Sequence, residues 1–316
     1  MKLRNLFPII GLLLFAYIIY NIGIDELYHN LLLVNPIYIV INIILVFVSF
    51  LLPTYKWILI LKYQNVAVSF KNLLKIFLIS TFYGNVTPGR AGSWIRVYYL
   101  KDVIKRPLGF CSSSIFIDRM MDLLTLLLFA IGGIFLISKD YYWLLWPLIL
   151  IFIVSISSSI FLFDKKRNLF VLKFIYRYFI PKRFKTLVKE NYLSFYETVP
   201  PFKKLLYPFL LSIISWMVFY SLPYVFIIAL GIKLNYIYYV FLYALSTLIT
   251  LLPISVAGIG TREASLIVLF GFYGVTATDV FIISFLSFII FISITSIIGW
   301  YLSLKWKVEH KDSVPS

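Results

Sequence analysis

Long apolar stretches, separated by short segments rich in lysine and arginine, constrain the fold of this chain most strongly. An α-helix needs about 20 predominantly apolar residues to cross roughly 30 Å of hydrocarbon. Hydrophobic residues make up 62% of the chain and charged residues only 13%, compared with about 45–50% and about 25% in a soluble domain. The sequence therefore predicts an all-α integral membrane protein, a polytopic helix bundle with about six full spans. The predicted spans are residues 6–22, 36–61, 108–138, 141–163, 205–230 and 278–304.

Two further apolar segments, residues 73–100 and 236–273, are interrupted by proline and glycine. Each resembles two half-length helices joined by a turn, because proline removes a helical hydrogen bond and glycine lets the backbone reverse. Non-helical backbone at membrane depth is tolerated only where protein or a water-filled cavity satisfies its amides. The predicted hairpin turns contain Pro88, Gly89 and Gly92 in the first segment, and Pro253, Gly258 and Gly260 in the second.

The distribution of lysine and arginine predicts the topology, because short cytoplasmic loops collect these residues. The loops at residues 23–35 and 274–277 contain neither, whereas segment 164–204 and both terminal segments are strongly basic. Both termini are therefore expected in the cytoplasm of a cell-membrane protein. The first broken hairpin then enters from the cytoplasm and the second from outside, as an inverted pair. Two ordinary spans in each region, ten in all, are the alternative.

This topology divides the chain into two membrane halves. Residues 1–163 form the amino-terminal half with the first hairpin, and residues 205–316 form the carboxyl-terminal half with the second. Between them, segment 164–204 is expected to be a basic amphipathic linker on the anionic cytoplasmic surface. A solvated linker is the alternative for this segment.

Charged residues at membrane depth are costly, at roughly 2.5–3.5 kcal/mol each at a helix centre. One face of the third predicted span nevertheless carries polar groups at helical spacing. These are Ser114, Asp118, Asp122 and Thr125. Asp118 and Asp122 are like charges one turn apart, so they require a nearby cation. Arg119 points about 100° away from Asp118, and Lys56 is expected to extend to the cytoplasmic interface.

Arginines of the broken segments are therefore the expected partners of the two aspartates. The candidate substrate-binding residues are Arg90, Arg96, Asp118, Arg119, Asp122, Arg262 and Glu263. This set leaves one positive charge in excess, so a cavity formed by it could accept one anion. A guanidinium suits phosphate because its planar fork binds two oxygens. Two alternatives remain: the ions only lock helices together, or Arg90, Arg96 and Asp118 lie near the cytoplasmic interface.

Several other classes of function find little support in the sequence. The chain has a single cysteine, Cys111, and the two histidines His29 and His310 are far apart, so neither a metal site nor an internal disulfide is expected. No cofactor is predicted, since Gly258-Ile259-Gly260 lacks the third glycine of a dinucleotide site. The net charge of +16 fits an anionic membrane leaflet, and no nucleic-acid partner is expected.

Three motifs, in this order, resemble the flippase-like transmembrane domain associated with lysylphosphatidylglycerol synthases and its stand-alone, largely uncharacterised relatives. The motifs are Asn85-Val86-Thr87-Pro88-Gly89-Arg90-Ala91-Gly92 with Arg96, Asp118-Arg119 with Asp122, and Pro253 with Gly258-Ile259-Gly260-Thr261-Arg262-Glu263. The resemblance covers essentially the whole chain. Ser93 departs from it, because the family commonly has glutamate at this position.

The resemblance implies movement of a phospholipid between leaflets, without the synthase activity, for which this sequence shows no soluble domain. We accordingly expect a translocator of a lipid or lipid-linked substrate, with membrane lipids of anionic or zwitterionic headgroup as partners. A membrane-embedded transferase is the second hypothesis, with Asp118 or Asp122 as base or metal ligand. A non-transporting scaffold is the third.

Overall fold

The computed structural model describes residues 7–137, 139–163, 185–196, 199–251, 255 and 258–306. These residues form twelve α-helices and no strand. Pro253 and residues 164–184 of the predicted linker lie outside the described part. The helices are α1 (Phe7–Ile22), α2 (Ile24–Leu33), α3 (Pro36–Tyr63), α4 (Phe70–Asn85), α5 (Arg96–Ile104), α6 (Leu108–Ile134), α7 (Leu145–Phe163), α8 (Lys185–Tyr196), α9 (Phe202–Ala229), α10 (Tyr236–Leu251), α11 (Thr261–Gly271) and α12 (Ala277–Lys305).

Four helical segments in the described residues are long and apolar enough to cross a membrane. They are Pro36–Tyr63, Tyr141–Ser158, Lys203–Ala229 and Ala277–Lys305. α6 also has the length, with 27 residues, but Asp118, Arg119 and Asp122 interrupt its apolar surface. α1 has 16 residues and is about 24 Å long. The helical class is as predicted, and the number of full spans stays a prediction.

Small residues bring the first broken segment close to α12. A Cβ added at Gly299 would lie 2.5 Å from the Leu78 carbonyl oxygen, so only glycine permits this approach of α12 to α4. Asn85 Nδ2 donates a hydrogen bond to Thr295 Oγ1 at 2.9 Å. α4 is therefore held against α12 up to the point where its helix ends.

The first predicted turn follows α4 directly. A 3₁₀ segment, Pro88–Ile95, joins α4 to α5. The Thr87 hydroxyl donates to the Tyr83 carbonyl at 2.8 Å and accepts from the Gly92 amide at 2.7 Å. A Cβ at Gly92 would lie 2.3 Å from the same Tyr83 carbonyl oxygen. Gly92 is thus required because the 3₁₀ segment folds back against the last turn of α4.

The second predicted turn lies between α10 and α11. Gly258 and Gly260 have φ of 81° and 80°, the left-handed region that glycine enters without steric cost. The Gly260 amide donates to Glu263 Oε2 at 2.8 Å, which satisfies a free amide at the start of α11. Ser246 Oγ lies 2.6 Å from Ser265 Oγ, so α10 and α11 pack side by side as the two arms of a hairpin.

The described end of the predicted linker is a helix attached to α6. The Gly109 amide donates to Asn191 Oδ1 at 2.8 Å, and the rings of Phe116 and Phe195 are 6.1 Å apart. A Cβ at Gly109 would lie 1.9 Å from the Asn191 carbonyl oxygen. α8 therefore packs closely against the first turns of α6.

Candidate functional site

A buried charge cluster joins α3, α5 and α6. Lys56 Nζ lies 2.9 Å from Asp118 Oδ1 and 2.5 Å from Asp122 Oδ1, and the Lys56 residue is 0% exposed. Arg96 Nη2 donates to Asp118 Oδ2 at 2.8 Å. The Ser212 hydroxyl donates to Asp122 Oδ1 at 2.7 Å. Each carboxylate therefore has a cationic partner, as the burial of charge requires.

The prediction that Lys56 extends to the interface is wrong. α3 crosses α6 so that the Lys56 ammonium lies between two carboxylates one turn apart. Two like charges in a low-dielectric interior attract a shared cation more strongly than water at the interface solvates it. The spacing of Asp118 and Asp122 indicated the need for this cation, but not that α3 would supply it.

Of the three arginines expected as partners of the aspartates, Arg96 pairs with Asp118. Arg96 is fully buried, and its guanidinium carbon lies 5.1 Å from the centre of the Trp57 ring. Arg262 pairs instead with its neighbour Glu263. Arg90 forms an ion pair with neither aspartate.

The Arg262–Glu263 pair forms a second, self-contained cluster. Arg262 Nε donates to Ser284 Oγ at 2.8 Å, and the guanidinium stacks 4.1 Å from the centre of the Phe288 ring. Glu263 is fully buried and also accepts from Ser284 Oγ at 2.9 Å. Glu263 therefore both caps α11 and neutralises Arg262.

A cavity of about 120 Å³ opens beside the first cluster, between α3, α4, α6, α9 and the 3₁₀ segment. Its wall has a polar part and an aromatic part. The polar part includes Ser49, Ser80, Thr81, Asn85, Arg90, Ser93, Arg119, Asp122 and Ser215, and the aromatic part includes Phe50, Phe77, Trp216, Phe219 and Phe291. Of the residues predicted as a site, Arg90, Arg119 and Asp122 thus meet in one cavity.

Two guanidinium groups face this cavity with few partners. Arg119 Nη1 lies 3.9 Å from Asp122 Oδ2 and Nη2 lies 3.4 Å from Ser93 Oγ, so both contacts are long. Arg90 is exposed, and its side chain makes no hydrogen bond or ion pair with any described residue. The two arginines repel each other electrostatically.

The backbone of Arg90 is also unusual. Its φ is 56°, the left-handed region, which costs a residue other than glycine about 1–3 kcal/mol. Such strain persists only where the surrounding structure enforces it, and here the bonds of Thr87 to Tyr83 and Gly92 fix the turn. The turn therefore presents Arg90 to the cavity at an energetic cost.

The two clusters are electrically balanced, and two further arginines give the site an excess of two positive charges. Lys56, Arg96 and Arg262 balance Asp118, Asp122 and Glu263. Arg90 and Arg119 remain, and both line the cavity. The sequence predicted an excess of one, because Lys56 was not counted among the buried charges.

The described residues of the second hairpin lie beside the cavity without lining it. The 3₁₀ segment contacts α10, and Arg262 is near enough to Arg90 to repel it. Arg96 and Asp118 are not among the residues that line the cavity. Across the described residues, no three His, Cys, Asp or Glu side chains are grouped as metal ligands would be.

Comparison with known proteins shows that nearly the whole chain is similar to one family of membrane proteins. The family of the lysylphosphatidylglycerol synthase TM region matches residues 7–299. A UPF0104 membrane protein of Methanocaldococcus jannaschii is 24% identical over 324 residues, which cover 95% of this chain and 94% of the relative. A UPF0104 membrane protein of Methanothermobacter thermautotrophicus is 26% identical over 77% of this chain and 76% of its own length. This protein, a membrane protein, therefore belongs to the lysylphosphatidylglycerol synthase TM-region family.

Proposed function

We propose that this protein translocates a lipid with an anionic headgroup between the leaflets of the cell membrane. The observation that carries the proposal is the cavity with two arginines, Arg90 and Arg119, that no carboxylate fully neutralises. An unpaired charge inside a membrane protein is costly and is therefore typical of a substrate site. An anionic headgroup would complete the charge balance of this cavity.

The aromatic part of the cavity wall fits the remainder of such a substrate. Phe50, Phe77 and Phe291 lie beside the polar part and offer an apolar surface to the first carbons of a lipid. A purely hydrophilic anion would gain nothing from these rings. The combination of arginines and aromatic rings thus favours an amphiphile over a soluble ion.

The course of α6 supports the proposal that the first broken segment is re-entrant. α6 has 27 residues, so its ends lie about 40 Å apart. Gln64 Nε2, just before the segment begins, donates to Ser113 Oγ near the amino end of α6 at 2.8 Å. The segment ends at Ile104 and a short turn leads into that same end. Its tip contacts Arg119, which lies about 16 Å along α6.

The second broken segment contacts the opposite, carboxyl end of α6. A Cβ at Gly133 would lie 2.6 Å from the Phe241 carbonyl oxygen in the first part of α10. The Tyr273 hydroxyl donates to the Leu136 carbonyl at 2.7 Å just after α11 ends. Both arms of this hairpin thus begin and end at the carboxyl end of α6, as an inverted pair of hairpins requires.

Helix length argues against two ordinary spans in each region. Each region contains one helix that is far too short to cross: α5 has 9 residues and α11 has 11, which correspond to about 14 Å and about 16 Å. A hydrocarbon core is about 30 Å thick. We therefore propose six full spans, two re-entrant hairpins of opposite orientation and cytoplasmic termini.

Reconstitution into liposomes tests the proposed function. Liposomes carry trace amounts of phosphatidic acid and phosphatidylglycerol with a fluorescent acyl chain, and a membrane-impermeant reductant bleaches the outer leaflet. We expect the protein to accelerate bleaching of the inner-leaflet probe relative to protein-free liposomes. Arg90→Gln and Arg119→Gln should slow this phase about tenfold or more, since each removes a charged interaction with the headgroup.

The matched control is Arg106→Gln, an exposed arginine just before α6 that should leave the rate unchanged. If the protein gives the same bleaching as empty liposomes with both probes, the proposed function is wrong. Recovery of a chemically altered probe would point to the transferase instead.

A further inference from the structure

We infer that the cavity selects a phosphate monoester, a lipid monophosphate with two negative charges, over a phosphodiester with one. The inference rests on the proposed function for its site and adds the chemical class of the substrate. It follows from two features of the cavity: its charge and its hydrogen-bond donors.

The charge of the cavity matches a dianion. Lys56 is shared by Asp118 and Asp122, and Arg96 completes the balance of that group. Arg90 and Arg119 then carry two positive charges on the cavity wall. A phosphate monoester carries about −1.5 to −2 at neutral pH, whereas a diester carries one negative charge. Only the monoester leaves neither arginine uncompensated.

The hydroxyl groups of the wall leave the arginines as the main donors. Ser49, Thr81 and Ser215 each donate to a backbone carbonyl three or four residues earlier in their own helices. Ser93 Oγ accepts from Arg119, and its own hydrogen has no acceptor among the described residues. Arg90, Arg119 and Ser93 can therefore donate together to the oxygens of one phosphate group.

Ser93 offers a direct way to change the charge of the site. Ser93 Oγ lies 3.4 Å from Arg119 Nη2, so Ser93→Asp would place a carboxylate beside this guanidinium. The excess of positive charge in the cavity would fall from two to one. Ser93→Asn has nearly the same shape as Ser93→Asp without the charge, so the difference between the two variants reports the charge alone.

Binding to the full-length protein in detergent tests the inference by calorimetry with short-chain phosphatidic acid and its methyl ester, phosphatidylmethanol. These ligands differ by one methyl group and one charge. We expect the unsubstituted protein to bind phosphatidic acid at least about tenfold more tightly than phosphatidylmethanol, and Ser93→Asn to retain a preference that Ser93→Asp lacks. Ser93→Asp should reduce this ratio to about one. Arg119→Gln should do the same by removing a cation, which keeps the test valid if Ser93→Asp does not fold.

The alternatives give distinct results. If the unsubstituted protein binds both ligands equally well and Arg90→Gln binds neither, the monoester preference is wrong. The proposed translocation of an anionic lipid would still stand. Failure to bind either ligand would overturn both proposals. Inorganic phosphate should compete only at much higher concentration, because it lacks the apolar part. If inorganic phosphate binds as tightly as phosphatidic acid, the site serves free phosphate and the lipid assignment is wrong.

Discussion

Lys56 lies between two carboxylates that the chain places one helical turn apart. Its position explains how Asp118 and Asp122 remain together in an apolar bundle, because one ammonium contacts both. The same pairing separates the structural charges from those that face the cavity. At the scale of single residues, the site therefore consists of a balanced group that positions α3 against α6, and of Arg90 and Arg119, which line the cavity and which we propose bind the headgroup.

Lys56→Met should strongly destabilise the protein. The substitution keeps most of the apolar stem but leaves Asp122 without a close cation, and removing one partner of a buried ion pair typically costs about 3–5 kcal/mol. The thermal unfolding temperature in detergent measures the effect. Lys62→Met, an exposed lysine of the same helix, is the control and should unfold near the unsubstituted protein. Lys56→Met/Asp122→Asn should regain part of the loss, and equal melting of both lysine variants would contradict the assignment.

The partners of Asp118 can be ranked by double-mutant cycles. Asp118→Asn should couple with Arg96→Gln by more than about 0.5 kcal/mol, because these side chains touch. Its coupling with Arg262→Gln should be smaller, since Arg262 is neutralised by Glu263. Unfolding free energies of the single and double variants supply the measurement. A larger coupling with Arg262 than with Arg96 would place the aspartate in a different network.

The broken helices show which structural elements can be predicted from the sequence. The ends of α4 and α10 follow from local chemistry, since proline and glycine act on the residues next to them. Lys56, the partner of Asp122, could not be predicted from the sequence. The pairing depends on how α3 crosses α6, and two other helices separate these two along the chain. Ser49 and Ser215 of the cavity wall were missed for the same reason.

Gly92→Ala should open the first turn. The new methyl carbon would lie 2.3 Å from the Tyr83 carbonyl oxygen, and this oxygen belongs to the backbone and cannot rotate away. Both the unfolding temperature and the translocation rate should fall, because Arg90 is positioned by the same turn. Gly271→Ala is the control, since nothing lies within 4 Å of its added carbon. Loss of stability in Gly271→Ala but not in Gly92→Ala would contradict this description of the turn.

Contacts between distant parts of the chain show which loops lie together at each of the two ends of the helix bundle. The Thr278 hydroxyl donates to Glu26 Oε1 at 2.8 Å, so the loops before α2 and α12 lie on one face. Leu136 and Tyr273 meet at the same end of the bundle. α8 instead packs at Gly109, at the other end of α6, about 40 Å away. The distribution of lysine and arginine predicts that the face of α8 is the cytoplasmic one.

Cysteine labelling of intact cells tests the orientation of the whole protein. In a background with Cys111→Ser, an impermeant thiol reagent should modify Asp25→Cys and Ala277→Cys, which lie on the face with few basic residues and are exposed. Lys189→Cys, exposed on α8, should react only after the cells are permeabilised. Because all three residues are exposed, a difference between them reports the side of the membrane and not burial. Labelling of Lys189→Cys in intact cells would invert the topology. The first hairpin would then open to the outside, and a lipid phosphate would reach Arg90 and Arg119 from the outer leaflet.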